Sequence, residues 1–125
     1  MIPRYRAWDK ELQTILDVSL IDFKKGVLVG EHWEFGETNF MSFDEIVIMQ
    51  TTGLLDKNGK EIFEGDILGT KDGLLNGVVE YRSDLGMWTN SLIRYNNFER
   101  LCTVANSREI IGNIYEKPEL VEVEE

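Results

Sequence analysis

The residues best suited to chemistry are one histidine and one cysteine, which lie far apart in the sequence. His32 stands in a Glu-His-Trp-Glu segment, where an imidazole beside carboxylates could bind a metal or transfer a proton. No second nitrogen or sulfur ligand lies at a useful spacing, so we interpret His32 as a surface residue of a polar turn or strand. Cys102 has no base nearby in the sequence to generate a thiolate. Its neighbours Leu101 and Val104 favour a small core residue.

The acidic residues Glu61, Glu64 and Asp66 are spaced closely enough to suggest a divalent-cation site. They do not follow the EF-hand pattern, and we interpret them as carboxylates on the solvent face of a strand. The glycines form neither a P-loop nor a dinucleotide-binding fingerprint, and no serine has the G-x-S-x-G context of a nucleophile elbow. We therefore predict no catalytic residue, no cofactor and no metal, and that the protein is not an enzyme.

Aromatic residues with basic neighbours form the most informative candidate binding surface. Proteins that bind single-stranded nucleic acid combine stacking rings with basic side chains. The candidate surface in this chain consists of Arg4, Arg6, Trp8, Tyr81, Arg82, Trp88, Arg94 and Tyr95. For most of these rings, packing in the core or in an interface is the favoured alternative, because aromatic side chains are usually buried.

The charge balance argues against a general nucleic-acid binder. The 125 residues include 13 Lys and Arg against 23 Asp and Glu, which gives a formal net charge of -10 without a basic cluster. An acidic surface that imitates a phosphate backbone is a rarer alternative. The first residues lack the apolar region of a signal peptide, and the longest aliphatic run, residues 46–49, is too short to cross a membrane. With a free cysteine, these features predict a cytoplasmic location.

Turn signals recur about every ten residues, a spacing that favours a mainly β fold. Asn58-Gly59 predicts a two-residue hairpin, because this pair suits two successive positive φ angles. Residues 9–17 also carry helical spacing, and residues 96–101 could form one helical turn. The predicted strands cover residues 2–8, 12–18, 20–23, 26–30, 43–50, 61–69, 77–82, 86–90, 100–105 and 108–115.

Four blocks of the sequence resemble the YopX family of phage and prophage proteins. Residues 3–9, Pro-Arg-Tyr-Arg-Ala-Trp-Asp, resemble the family's P-K-F-R-A-W-D opening. Residues 49–67 are similar to its central M-Q-x-T-G-L-x-D-K-N-G-x-E-I-Y-E-G-D-I signature, and residues 77–81 to the strand that follows it. Residues 109–120 resemble its closing I-G-N-I-Y-E-N-P-E-L, with Lys117 in place of the usual Asn.

This resemblance implies several coiled antiparallel sheets, including a small SH3-like barrel at about residues 60–115. It implies one β domain over residues 1–125, with an acidic tail at 118–125, and a phage or prophage origin in a bacterial host. It implies no activity, because the family is one of unknown function. The shared glycines at 53, 59, 65 and 112 suit tight backbone positions, and the shared isoleucines at 67, 110 and 114 suit the core.

Two functional hypotheses follow from these observations. The first is a non-enzymatic module that binds an unknown phage or host protein or assembles as a homo-oligomer, since edge strands and Trp and Tyr side chains favour association. The second is a nucleic-acid-related role, either direct binding through the SH3-like barrel or acidic mimicry of nucleic acid. No membrane role is expected.

Overall fold

The chain folds into two compact units, residues 1–51 and 52–125, and the computed structural model describes residues 4–122 of it. Eleven strands in antiparallel sheets make up most of this described part, which confirms the mainly β prediction. No helix within residues 4–122 has the length and apolar character needed to cross a bilayer.

The first unit is an antiparallel sheet with the strand order β4-β3-β2-β1-β5. Its strands are β1 (Tyr5–Asp9), β2 (Thr14–Asp22), β3 (Val27–His32), β4 (Thr38–Ser42) and β5 (Ile46–Leu55), the last of which continues into the second unit. Side chains alternate between the two faces of each strand. One face carries the core of this unit, formed by Ala7, Leu16, Leu28 and Ile46 with Ile21 and Met41 packed against it.

The second unit contains a five-stranded antiparallel sheet with the order β10-β9-β8-β7-β11. Its elements are β6 (Glu61–Phe63), β7 (Asp66–Gly69), β8 (Gly77–Arg82), β9 (Met87–Leu92), β10 (Phe98–Arg100), the short helix α1 (Leu101–Val104) and β11 (Glu109–Asn113). Strand β6 pairs with β5 instead of joining this sheet. The core contains Ile62, Leu68, Val79, Leu101 and Ala105.

The five-stranded sheet has open ends at β10 and β11. Within residues 4–122 no closed barrel is found, so the SH3-like barrel expected over residues 60–115 is not confirmed. The resemblance is supported at the coarser level of a mainly β chain with antiparallel sheets.

The predicted hairpin at Asn58-Gly59 exists but has a longer loop. The N–H of Asp56 donates to the carbonyl of Lys60 at 2.8 Å, which leaves three residues in the loop. Gly59 has a φ of +80°. The φ of Asn58 is negative, because Gln13 is the only non-glycine residue with a positive φ in the described part of the chain. A two-residue type I′ turn needs positive φ at both central residues. The turn is therefore a type I turn followed by a left-handed glycine.

Several predicted elements differ from those observed. Residues 100–105, predicted as a strand, contain α1, because Leu101 and Ala105 lie one helical turn apart and both enter the core. The helical turn expected at 96–101 falls at 101–104 instead. The two strands predicted at 12–18 and 20–23 are observed as one strand, β2 (Thr14–Asp22), with a register shift between Val18 and Leu20. Strand β4 was not predicted, and residues 2–3 of the first predicted strand lie outside the described residues.

Two further differences have local causes. The predicted strand at 61–69 is divided into β6 and β7 by a turn at Gly65, whose φ is +86°. Residues Pro118–Val121 of the predicted acidic tail form a 3₁₀ turn. A side-chain carbon of Leu120 lies 3.5 Å from where a Cβ on Gly112 would stand, so this part of the tail packs against the unit.

Candidate functional site

His32 is 2% exposed, so its interpretation as a surface residue is wrong. It ends β3 and lies between Asp9, at the end of β1, and Asn39 in β4. The Nε2 atom of His32 is 2.9 Å from Oδ2 of Asp9, and its Nδ1 atom is 2.7 Å from Nδ2 of Asn39. This Asp–His–Asn chain connects three strands of the first unit. This chain could not be predicted from local sequence patterns, because the partners are 23 and 7 residues away.

The hydrogen bonds of this chain select one tautomer of His32. The Asn39 amide also donates to the carbonyl of Glu37 at 3.2 Å, which orients its nitrogen toward the ring. The Nδ1 atom of His32 then accepts, and Nε2–H donates to Asp9. Both ring nitrogens are engaged, so neither offers a free lone pair to a metal or a substrate. The arrangement is suited to holding strands together.

Asp9 completes this network by organising the turn after β1. Its Oδ1 atom accepts the backbone N–H groups of Glu11 and Leu12, both at 3.0 Å. Burial alone would raise the pKa of Asp9. The hydrogen bonds from His32 and the two backbone groups outweigh that effect and hold the pKa below its ordinary value. Asp9 is therefore an ionised hydrogen-bond acceptor at neutral pH.

Cys102 is exposed, so its assignment to the core is wrong. It lies in α1, where Leu101 and Ala105 share the buried side of the turn and Cys102 points away from it. Cys102 lies in the second unit, whereas His32, the one histidine of the sequence, lies in the first. Among residues 4–122, Cys102 and His32 therefore do not form a thiolate–imidazole pair within either unit.

The closely spaced carboxylates Glu61, Glu64 and Asp66 do not form a cation site. Asp66 is buried, and its Oδ2 atom accepts the N–H of Phe63 at 2.8 Å across the turn. Glu64 acts on the Tyr115 hydroxyl, whose pKa is raised by burial and raised further by the charge of Glu64. Within residues 4–122, no three histidine, cysteine or acidic side chains are grouped to hold a metal. Asp66 was wrongly placed on a solvent face.

A second buried polar network lies in the five-stranded sheet and was not predicted. Arg108 forms two hydrogen bonds with Glu99, at 2.7 and 2.8 Å, and Asn90 donates to the same carboxylate at 3.2 Å. Burial alone would raise the pKa of Glu99, but the bonds from Arg108 and Asn90 and the charge of Arg108 lower it. A Cβ on Gly77 would lie 2.5 Å from the Asn90 side chain, so this position requires glycine.

The predicted binding surface is divided between the two units. Arg4, Arg6 and Trp8 lie in the first unit. Arg4 is exposed and lines a shallow apolar pocket of about 440 Å³, whereas Arg6 is buried and places its guanidinium 5.3 Å from the ring of Trp33. Trp8 is half-buried. These three residues therefore do not present a row of free basic and aromatic side chains.

The other predicted residues occupy different parts of the second unit. Tyr81 and Trp88 are register partners that form an edge-to-face pair with ring centroids 5.3 Å apart. Arg82, on the opposite face of β8, forms two hydrogen bonds with Asp84 and lies 5.1 Å from the Phe98 ring. Its charge is thus already balanced by a carboxylate. Arg82 and Tyr95 line one groove of about 330 Å³, and Arg94 and Tyr95 line another of about 740 Å³.

An exposed apolar row on the first unit was missed in the sequence. Leu20, Val29 and Phe40 are register partners across β2, β3 and β4, on the face opposite the core residues Leu28 and Met41. Phe40 is 70% exposed and Leu20 is 57% exposed, and Val29 between them is half-buried. We call these three residues the apolar row. Periodicity alone could not reveal it, because both faces of these strands carry apolar residues.

The central and closing sequence blocks that resemble a known family are connected by hydrogen bonds in the second unit. The Oδ1 atom of Asp56 accepts the N–H groups of Asn58 and Lys60, and its Oδ2 atom accepts that of Ile110 at 3.0 Å. The backbone carbonyl of Gly65 accepts a hydrogen bond from the N–H of Ile114. The shared aspartate and glycine therefore connect the central block to the closing one. The glycines at 53, 59, 65 and 112 all have positive φ, and Ile67 is fully buried.

These features define a class of small, mainly β proteins whose shared residues build turns and strand contacts. Within that class, the chain belongs to the YopX protein family, whose model matches residues 4–122. It is similar to the crystal structure of protein EF1440 from Enterococcus faecalis, with 30% identity and a TM-score of 0.68 over 98% of this chain and 99% of that one.

The fold is also similar to that of the protein yopX from Bacillus subtilis. This structure has a TM-score of 0.56 and 20% identity, and the match covers 95% of this chain and 98% of that one. No protein with curated annotation matches the chain. The comparisons thus establish the family and the fold, and they assign no molecular role.

Proposed function

We propose that this YopX family member is a non-enzymatic protein-binding module, encoded by a phage or prophage and acting in the cytoplasm of a bacterial host. The observation that carries the proposal is the apolar row of Leu20, Val29 and Phe40 on an exposed sheet face. Contiguous exposed apolar residues are costly in water and are typical of interaction sites. The resemblance to phage and prophage proteins supports the proposed origin.

The state of the candidate catalytic groups supports a binding role over catalysis. Both ring nitrogens of His32 are engaged in the first unit, and Cys102 is exposed in the second. Nucleophilic catalysis needs a nucleophile within hydrogen-bond reach of a base. Among residues 4–122, His32 and Cys102 do not form such a pair within either unit.

The proposal includes the small SH3-like barrel expected at residues 60–115, to which the five-stranded sheet would contribute. Self-assembly is the other form that a binding module could take. A formal charge of -10 on each copy opposes that form, because like-charged surfaces repel at low ionic strength. We therefore place a different protein first among the partners.

The test is an affinity capture from host-cell lysate with the tagged full chain as bait, with and without nuclease, and with the tag alone as control. The proposal expects a host or phage protein that is retained after nuclease treatment. Loss of all bound protein with nuclease would overturn it and favour direct nucleic-acid contact. A retained partner that is itself a basic nucleic-acid enzyme would favour acidic mimicry instead.

A further inference from the structure

Strand β4 is an edge strand that lacks the usual protection against further pairing. Among residues 4–122 it pairs only with β3, and their register runs from Glu31–Thr38 to Val27–Ser42 without a bulge. Its sequence, Thr-Asn-Phe-Met-Ser, contains no charged residue and no proline. Edge strands usually carry a charge, a proline or a bulge, because their free backbone groups otherwise recruit another strand.

The hydrogen-bond pattern identifies which backbone groups of β4 point away from β3. Phe43 donates to Gly26 at 2.9 Å, and Glu37 accepts from His32 at 3.0 Å. Bonded residues alternate in an antiparallel ladder, so residues 37, 39, 41 and 43 face β3. The backbone groups of residues 38, 40 and 42 consequently face outward. The outward N–H of Ser42 is taken by the Glu45 carboxylate at 3.1 Å, which agrees with this assignment.

The surroundings of this edge are acidic. Asp17 and Glu31 are direct cross-strand partners next to the apolar row, both are exposed, and neither forms an ion pair within residues 4–122. Two like charges in this arrangement repel each other. Exposed Glu37 precedes β4, and exposed Asp44 follows it. Basic side chains on a ligand strand would be attracted to Glu37 and Asp44 at the two ends of β4.

We propose that the β4 edge and the apolar row form a docking site for an extended segment of another protein in which basic and apolar residues alternate. The segment adds to the sheet as a strand through the outward backbone groups of Thr38 and Phe40. Its apolar side chains continue the apolar row, and its basic side chains, on the opposite face of the added strand, approach Glu37 and Asp44 at the two ends of β4. This inference rests on the proposed protein-binding function and names the partner's chemistry.

A second copy of the chain fits this edge less well. Antiparallel pairing of two β4 strands about Phe40 would place Glu37 of one copy near residues 43 and 44 of the other. The contact would therefore bring Glu37 close to Asp44 of the other copy, and like charges in such positions are destabilising. Charge complementarity thus favours a basic partner over self-pairing.

The test measures binding of short capped peptides to the ¹⁵N-labelled full chain by NMR. Alternating lysine and valine is the probe, and glutamate–valine and lysine–serine peptides test charge and apolar character separately. We expect only the lysine–valine peptide to bind, with the largest shifts at the amides of Thr38 and Phe40. Absence of any shift at about 1 mM peptide, or equal binding of the glutamate–valine peptide, would overturn the inference.

Variants locate the site. Phe40→Ser removes the most exposed ring and should weaken peptide binding at least about tenfold. Leu85→Ser is the matched control, because Leu85 is a 44% exposed apolar residue in the β8–β9 turn of the other unit, and it should leave binding unchanged. Glu37→Lys should also weaken binding, because it reverses one of the proposed charge contacts. Equal binding by Phe40→Ser and wild type contradicts the proposal.

Two further measurements separate this inference from the proposed function. If Phe40→Ser captures the same nuclease-resistant protein from lysate as wild type, the protein-binding function stands and the β4 site is wrong. Sedimentation of the full chain tests the second copy as occupant. A dimer that Phe40→Ser converts to a monomer would assign the edge to self-association and overturn the proposed partner.

Discussion

The Oδ2 atom of Asp56 accepts the backbone N–H of Ile110 at 3.0 Å, across 54 residues of chain. The same carboxylate holds the hairpin between β5 and β6 through the N–H groups of Asn58 and Lys60. Burial alone would raise the pKa of Asp56, but these three backbone hydrogen bonds and the charge of Lys60 lower it. One side chain therefore fixes a local turn and attaches it to β11.

The first prediction concerns Asp56→Asn. The amide can replace one carboxylate oxygen but presents its NH₂ group to another donor, so one buried N–H loses its acceptor. We expect a decrease of about 2 kcal/mol in the free energy of unfolding, measured with urea. Asp72→Asn is the control, because Asp72 is exposed and accepts only from its own loop, and it should change little. Equal stability of Asp56→Asn and wild type would contradict the proposed role.

The second prediction compares two glycines with similar backbone angles. Gly65 and Gly59 have φ values of +86° and +80°, so alanine at either site costs roughly 1–2 kcal/mol in the backbone. A Cβ on Gly65 would also lie 3.1 Å from the Tyr115 ring, whereas one on Gly59 would meet nothing within 4 Å. Gly65→Ala should therefore be more destabilising than Gly59→Ala by about 1 kcal/mol. Urea unfolding of both variants measures the difference, and equal losses would exclude a contribution from the ring contact.

The third prediction is acid sensitivity. The pKa values of Asp9, Asp56 and Glu99 are lowered in the folded chain from ordinary values of 3.8, 3.8 and 4.5. As the pH falls, the unfolded chain therefore binds protons before the folded chain does. The stabilisation that these groups provide above pH 4.5 is lost as the pH falls through 4.5 and then below 3.8. Unfolding free energies measured from neutral pH downward should show this decline. Glu99→Gln should make it shallower, and a free energy independent of pH in this range would refute the prediction.

The fourth prediction is the tautomer of His32. Because Asn39 donates to Nδ1 and Asp9 accepts from Nε2, the proton should reside on Nε2. Long-range ¹H–¹⁵N NMR of the ring distinguishes the two nitrogens directly. Asn39→Ala should leave the proton on Nε2 and decrease the unfolding free energy by about 1 kcal/mol. A proton on Nδ1 in the wild type would show that the hydrogen-bond assignment is incorrect.

Sequence patterns predicted the parts of the fold that depend on local chemistry. Gly59 marks a turn that needs positive φ, and the alternation in residues 77–82 marks β8, whose observed bounds are the same. The burial of His32 was missed because its partner Asp9 lies on another strand. The exposure of Cys102 was missed because it depends on four residues being helical, a length too short for periodicity to detect.

The candidate binding site was predicted less well than the fold. Of the predicted surface residues in the second unit, Tyr81 and Trp88 form a ring pair, and Arg82 and Tyr95 line one groove. The apolar row was not found, because it forms only when β2, β3 and β4 align in one register. Register is a tertiary property, set by pairing between strands and not by the residues of any one strand.

The hydrogen bonds that Ile110 donates to Asp56 and Ile114 donates to Gly65 also determine when the second unit can fold during translation. Strand β7 pairs with β11, so the sheet remains incomplete until the ribosome has released the segment that contains β11. The first unit is built mostly from consecutive hairpins with short loop closure, which form quickly. Nascent chains should therefore carry a structured first unit while the second is still incomplete, a state in which chaperones can reach its unpaired strands.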